Sequence, residues 1–367
     1  MSLDERSIAA ATLASLYLVT PPRMRRMLDA FGGPVAALEA VRQRRVTPLI
    51  GRCEELDPRL LAKRWSEEAS SGAVRAQLEA RGTRVWVAGD DDYPIRDPLP
   101  DRPPVLLGEG ERPDAFANKR VAIVGTRSAT PHGLADAREL GGFLAGAGVT
   151  VVSGLAIGVD AAAHIGAVDA GGLVVGVVAT GLDVVYPRRH RELYAKVREQ
   201  GLVVGEHGYG VQPRRERFPV RNRVIAALGD IVVVVEATAM GGSRITAKYA
   251  AEYGRDVYAL PGSRRNPAAA GCNALIADGA VPLLDPGDLL IGLGRGGSQP
   301  GDWTSAGRVA PTDDDEAAVM LALGGSPGGI DDLERNTKLA PARLGAALGR
   351  LERAGRIQRM RGLWWPC

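Results

Sequence analysis

The chain has 367 residues, 45% of them hydrophobic, which is ordinary apolar content and enough for two or three domains with a sizeable core. Its 46 Lys and Arg against 43 Asp and Glu leave a formal net charge of +3, so bulk charge does not declare a nucleic-acid partner and only its distribution could. Cys53, Cys272 and Cys367 are scattered, odd in number and without metal-ligand spacing, which argues for a reducing, cytoplasmic setting and against a disulfide framework, while no apolar run reaches the ~18 residues of a membrane span.

Residues 1–80 read as a helical module. Leu13, Leu16, Leu28, Phe31, Val35 and Leu38 sit among breakers at Pro21-Pro22 and Gly32-Gly33-Pro34, as in small SAM-like or helix-hairpin modules. The apolar run Ile8 to Val19 suits a packed helix better than a signal peptide. Residues 81–292 then alternate strand and helix. Strands are expected at Arg84–Val87, Val121–Val124, Val149–Val152, Leu173–Ala179, Leu202–Val204, Ile231–Val235 and Val257–Leu260. That alternation predicts an α/β domain: a Rossmann-like, doubly wound, mostly parallel sheet. Residues 293–312 are rich in Gly, Ser and Pro and read as a linker. Residues 313–367 spell a C-terminal winged-helix domain. Helices are expected at Glu316–Leu323, Ile330–Asn336 and Pro341–Arg353, and strands at Ile357–Met360 and Leu363–Trp365. Its wing is short and apolar through Trp364 and Trp365, which suits a protein contact better than a DNA groove.

Ligands of an open parallel sheet bind at the carboxyl ends of its strands, and four loops there carry polar or glycine residues. The first runs Gly125-Thr126-Arg127-Ser128 and leads to Thr130-Pro131, a good helix start. Unpaired N–H groups at such a start, with the forked donors of Arg127, would suit a phosphate. The second runs from Ser153 and Gly154 through Gly158 to Asp160. The third carries Asp183, Tyr186, Arg188 and Arg189, and the fourth carries Glu236, Gly241, Gly242, Ser243 and Arg244. Arginines also cluster at 188, 189 and 191, and at 214, 215, 217, 221 and 223. Together these suggest a row of phosphate sites along a trough. Neither a G-x-G-x-x-G after a strand nor a G-x-x-x-x-G-K-[S/T] loop occurs, so no nucleotide cofactor is expected. Tyr186, Tyr209 and Phe218 are the few aromatics near this edge.

At these residues the chain resembles the DNA-processing protein A family (DprA, also called Smf). The likeness covers about residues 80–290 and rests on VAIVGTR, VVSGLAIGVDAAAH, GLDVVYP, FPVRNRVIAAL, GGSRITAKYAAE, VYALPG and GCNALIADGA. It implies an extended Rossmann fold that binds single-stranded DNA, forms a homodimer and helps load the RecA recombinase during natural transformation. It also implies strand-binding positions at Gly125–Ser128, Ser153, Gly154, Arg188, Arg189, Arg221, Asn222, Arg223, Gly242 and Ser243. Arg244 stands where the family often has Leu and would add a phosphate contact or point outward.

Catalysis is not expected. Four histidines at no ligand spacing argue against a metal. Asp160 and His164 lie four apart on one helix and read as a cap and a packed ring. Asp183 and Glu236 could be paired acid and base, but orienting arginines is the better reading. The rival is a phosphoribohydrolase-like enzyme. Its P-G-G-x-G-T-x-x-E signature is broken here, where Pro261-Gly262 is followed by Ser263-Arg264.

Overall fold

Six helices open the chain in the computed structural model, which describes residues 3–95, 97, 99–295, 314–323, 327–354, 356–360 and 362–366. These are α1 (Glu5–Ser15), α2 (Pro21–Phe31), α3 (Pro34–Arg42), α4 (Thr47–Ile50), α5 (Pro58–Glu68) and α6 (Ser71–Arg81). Their starts follow local rules. Asp4 caps α1 by accepting from Ser7 N at 2.7 Å, and Pro occupies the first turn of α2, α3, α4 and α5.

The sheet is built from β1 (Arg84–Val87), β2 (Val105–Glu109), β3 (Arg120–Val124), β4 (Thr150–Ser153), β5 (Val174–Gly181), β6 (Gly201–His207), β7 (Ile231–Val234), β8 (Asp256–Ala259) and β9 (Val281–Pro282). Its order is β1-β2-β6-β5-β4-β3-β7-β8-β9. Strands β3 to β9 pair in parallel, and β1 and β2 form an antiparallel edge against β6. The chain winds outward from β3 to β6, then returns to lay β7 on the other side of β3. The β3/β7 boundary is therefore the topological switch point, where an open sheet leaves a crevice.

Helices α7 (Pro131–Gly146), α8 (Val159–Asp169), α9 (Arg191–Glu199), α10 (Arg217–Leu228), α11 (Ser243–Glu252), α12 (Ala270–Ala277) and α13 (Gly287–Gly292) connect and follow these strands. The period-two pattern of the strands sorts two cores. Val121, Ile123, Val151 and Val233 pack beneath α7, α8 and the N-terminal helices, whereas Ala122, Val124, Val152, Val232 and Val234 pack beneath α10 and α11. The N-terminal helices thus share a core with one sheet face.

The expected strands are present with bounds that differ by at most three residues, the largest difference being β6, which runs on to His207. Two more, β2 and β9, were not legible. β2 directly follows Pro103-Pro104, and β9 is two residues long. From residue 296 on, the expected linker lies outside the described residues, as does Cys367. The C-terminal unit has α14 (Asp314–Leu323), α15 (Ile330–Thr337), α16 (Pro341–Arg353) and a hairpin of β10 (Ile357–Met360) and β11 (Leu363–Pro366). Leu333, Leu344, Leu348, Leu351 and Trp364 form its separate core, the winged-helix arrangement expected from the sequence.

Candidate functional site

A cavity of about 620 Å³ opens at the switch point, walled by the exits of β3 and β7 and by the start of α10. Gly125, Thr126, Arg127, Arg221, Asn222, Gly242 and Ser243 all border it. The β3 exit is pinned to the β7 exit by Thr126 N donating to the Glu236 carbonyl at 2.7 Å. It is also pinned to α8 by Val159 N donating to the Thr126 carbonyl at 3.3 Å. Arg127 and Ser128 stay exposed on the rim. Ser128 N donates to Thr126 Oγ1 at 3.2 Å, closing a short turn.

The helix starts behave differently from the simple expectation. α7 does attract an anion, but the anion is the protein's own. Glu236 is buried, and its Oε2 accepts from Thr130 N at 2.8 Å while its Oε1 accepts from the Thr130 hydroxyl at 2.6 Å. Thr130 Oγ1 in turn accepts from Gly133 N at 3.1 Å. At α8 no side chain caps the start, and the buried Asp160 stands in its first turn. Burial pushes its pKa up, opposed by the Arg221 guanidinium and then by the Ala156 and Gly154 amides. At α11 no side chain caps the start, Gly242 is exposed, and the buried Ser243 Oγ has no hydrogen-bond partner among the described residues. Of the starts following β3, β4 and β7, that of α7 is capped by a side chain, that of α8 has a buried carboxylate in its first turn, and that of α11 has neither, with Arg244 N and Ile245 N donating to the Gly241 and Gly242 carbonyls at 3.2 and 3.1 Å.

The arginines divide into two groups. Arg221 is buried beneath the cavity, its Nη1 donating to the Gly154 carbonyl at 2.7 Å and also to the Val177 carbonyl. Gly154 is glycine because a Cβ there would lie 2.6 Å from that guanidinium. Arg223 does not reach the cavity. It is buried on another side of α10, ion-paired with Glu206 and donating to the Asp101 carbonyl. Arg244 also turns away, donating to the Ala239 carbonyl at 2.6 Å and lying 3.8 Å from Asp278. Arg214 pairs with Glu55 of the N-terminal helices at 2.6 Å, and Arg217 donates to the Gln212 carbonyl at 2.6 Å. Arg127, Arg188, Arg189, Arg191 and Arg215 are exposed, and no carboxylate among the described residues lies within ion-pair distance of them.

Other expected residues sort as follows. Ser153 is buried and its hydroxyl donates to the Ile123 carbonyl at 2.6 Å, so it ties β4 to β3. Asn222 Nδ2 donates to the Gly242 carbonyl at 3.3 Å, joining α10 to the fourth loop. Gly158 lies beyond the cavity on the α8 side of Arg127. Asp183 and Glu236 orient backbone and a threonine rather than arginines, Asp183 by accepting from Gly210 N at 2.9 Å. Burial pushes His164 down to about 4, aided by nearby His190 and Arg221, which keeps a neutral packed ring. Phe218 was read only as one of three scarce aromatics. It stands with its ring centroid 5.4 Å from Tyr186 and 5.1 Å from the Arg127 guanidinium. Tyr209 is elsewhere, donating to Glu109 at 2.7 Å.

Residues 84–294 match the family described as DNA recombination-mediator protein A, and residues 304–362 match the DprA winged helix domain. A putative DNA processing protein DprA of Mycobacterium tuberculosis is 35% identical over 90% of this chain and 87% of its own length. Protein Smf of a Synechocystis strain is 42% identical over 56% of this chain, a stretch that is about half of that relative (52%). Among solved structures, DNA processing protein A of Streptococcus pneumoniae has a TM-score of 0.65 at 30% identity, covering 79% of this chain and 98% of that one. A Helicobacter pylori DNA processing protein A, solved for its single-stranded DNA binding mode, has a TM-score of 0.52 at 26% identity. That match covers 59% of this chain and 97% of that one.

Proposed function

Given that the chain belongs to the DNA recombination-mediator protein A family, we propose that its switch-point trough binds single-stranded DNA without catalysis. Arg127 and Arg215 hold phosphates at the rim, the open start of α11 takes another, and the Tyr186–Phe218 pair offers a face for a base. Such contacts are indifferent to sequence, because every nucleotide has a phosphate and a π-face. The observation that carries the reading is the exposed Arg127, stacked on Phe218 and free of any ion-pair carboxylate among the described residues. As a homodimer in the cytoplasm, the protein would pass its strand to RecA in recombination and natural transformation. That part of the reading is supported by family membership rather than by geometry.

The carboxylates an enzyme would need here are already engaged. Glu236 caps α7 and Asp160 faces Arg221. Arg127→Ala should weaken an anisotropy-detected complex with labelled oligothymidylate by about ten- to a hundred-fold, as loss of one charged hydrogen bond implies. Its thermal midpoint should stay that of the wild type. Unchanged affinity overturns the trough assignment. Incubation with AMP should release no base, and release would favour the phosphoribohydrolase reading.

A further inference from the structure

Arg127 stands between two cavities. Besides the trough it borders a second space of about 630 Å³ between the first turns of α7 and α8. The floor there is Ala135, Ala161 and Ala162, flanked by Leu134 and Ile165. The floor is of small residues because the helices approach closely: a Cβ at Gly166 of α8 would fall 1.8 Å from the Arg138 carbonyl of α7. Leu134 and Ile165 are 38% and 37% exposed, so two large aliphatic side chains lie open beside a cationic rim. Arg127 supplies that rim on one side and Arg189 on the other, neither with an ion-pair carboxylate among the described residues.

An apolar floor between guanidinium groups matches one polymer well. A single strand presents an apolar base and an anionic phosphate at every nucleotide, and the groove lining holds the complements of both, apolar side chains and the Arg127 and Arg189 guanidinium groups. The groove is also continuous with the trough through Arg127. We propose that the α7/α8 groove is a second subsite for the same strand, taking the bases of nucleotides next to those in the trough, with Arg189 on a phosphate. This rests on the trough reading of the proposed function.

The test compares oligothymidylates of about four and about twelve nucleotides, spanning the usual range of site sizes. A third strand has the length of the longer one, with its outer nucleotides abasic. The variant is Leu134→Gln with Ile165→Gln, with Ile165→Gln alone as a milder version, and circular dichroism melting checks the fold of each. The double variant should bind the longer strand about ten-fold more weakly and the shorter strand as the wild type does. The wild type should show a comparable loss with the abasic strand. Equal affinity of wild type and variant for the longer strand overturns the second subsite and leaves the trough standing, as does an equal loss for both lengths. Equal affinity would be the result if the groove served an acidic peptide or another partner. Failure of the wild type to bind any strand overturns the trough reading, and this one with it.

Discussion

Arginine is the residue on which sequence and structure part company. Every arginine in the 214–223 run looks alike as a charge, yet one guanidinium pairs with Glu55, one seats against Gly154, and one is sealed against Glu206. Part of this was legible. Arg221 and Arg223 are two residues apart on a helix, so they point about 200° apart and could not both face one trough. What was not legible is that each direction is buried, because Gly154 comes from the loop after β4 and Glu206 from β6. The Arg223 and Glu206 side chains are only 5% and 7% exposed, and an ion pair that deep is costly to break from one side. Glu206→Ala should destabilise the fold by up to about 3–5 kcal/mol in urea denaturation, by leaving the buried Arg223 with only the Asp101 carboxylate at 4.0 Å. Glu206→Leu with Arg223→Met should recover most of that loss. If the double replacement instead lowers affinity for a single strand in a folded protein, Arg223 is a strand contact that leaves Glu206 on binding.

At the level of elements, strands declared themselves through short β-branched runs, and helix starts through Thr130-Pro131 and their like. The occupants of those starts did not. Glu236 reaches Thr130 across 106 residues of chain, a link that no local pattern reports. Glycines inside helices were a readable signal left unused, since glycine costs a helix interior about 1 kcal/mol relative to alanine and needs a reason to be there. In α7 and α8 the reason is contact between backbones. A Cβ at Gly141 would meet the Ala163 carbonyl at 2.2 Å, and one at Gly166 would meet the Arg138 carbonyl at 1.8 Å. In α16 there is no such reason, because nothing lies within 4 Å of a Cβ at Gly345. The same substitution should therefore have opposite signs. Gly166→Ala should cost about 1–3 kcal/mol by overpacking two helices, and Gly345→Ala should add up to about 1 kcal/mol by raising helix propensity. Chemical denaturation of the two variants checks this, and a stabilising Gly166→Ala would mean that α7 and α8 are farther apart than the structure has them.

For the whole molecule, the order of the strands decides the function more than any single motif does. Laying β7 against β3 brings together loops more than a hundred residues apart in sequence, and the arginines left free at that edge are few. Arg127, Arg189 and Arg215 border the two cavities, and Arg188 and Arg191 are exposed near Arg189 but border neither. Counting every arginine of the 188–191 and 214–223 clusters with Arg127 and Arg244 would give a far steeper electrostatic dependence than this structure allows. Each phosphate neutralised on a single strand contributes about −0.7 to the slope of log affinity against log salt. Three or four contacts therefore predict a slope of about −2 to −3, whereas ten arginines would give about −7. Titrating labelled oligothymidylate across a salt series measures this directly. Arg127→Ala should make the slope shallower by about 0.7, and the Glu206→Leu, Arg223→Met replacement should leave it unchanged. A wild-type slope near zero would point to a small neutral ligand in place of a polyanion. A slope near −7 would mean that the buried guanidinium groups emerge on binding, and that the trough is assembled by the strand instead of waiting for it.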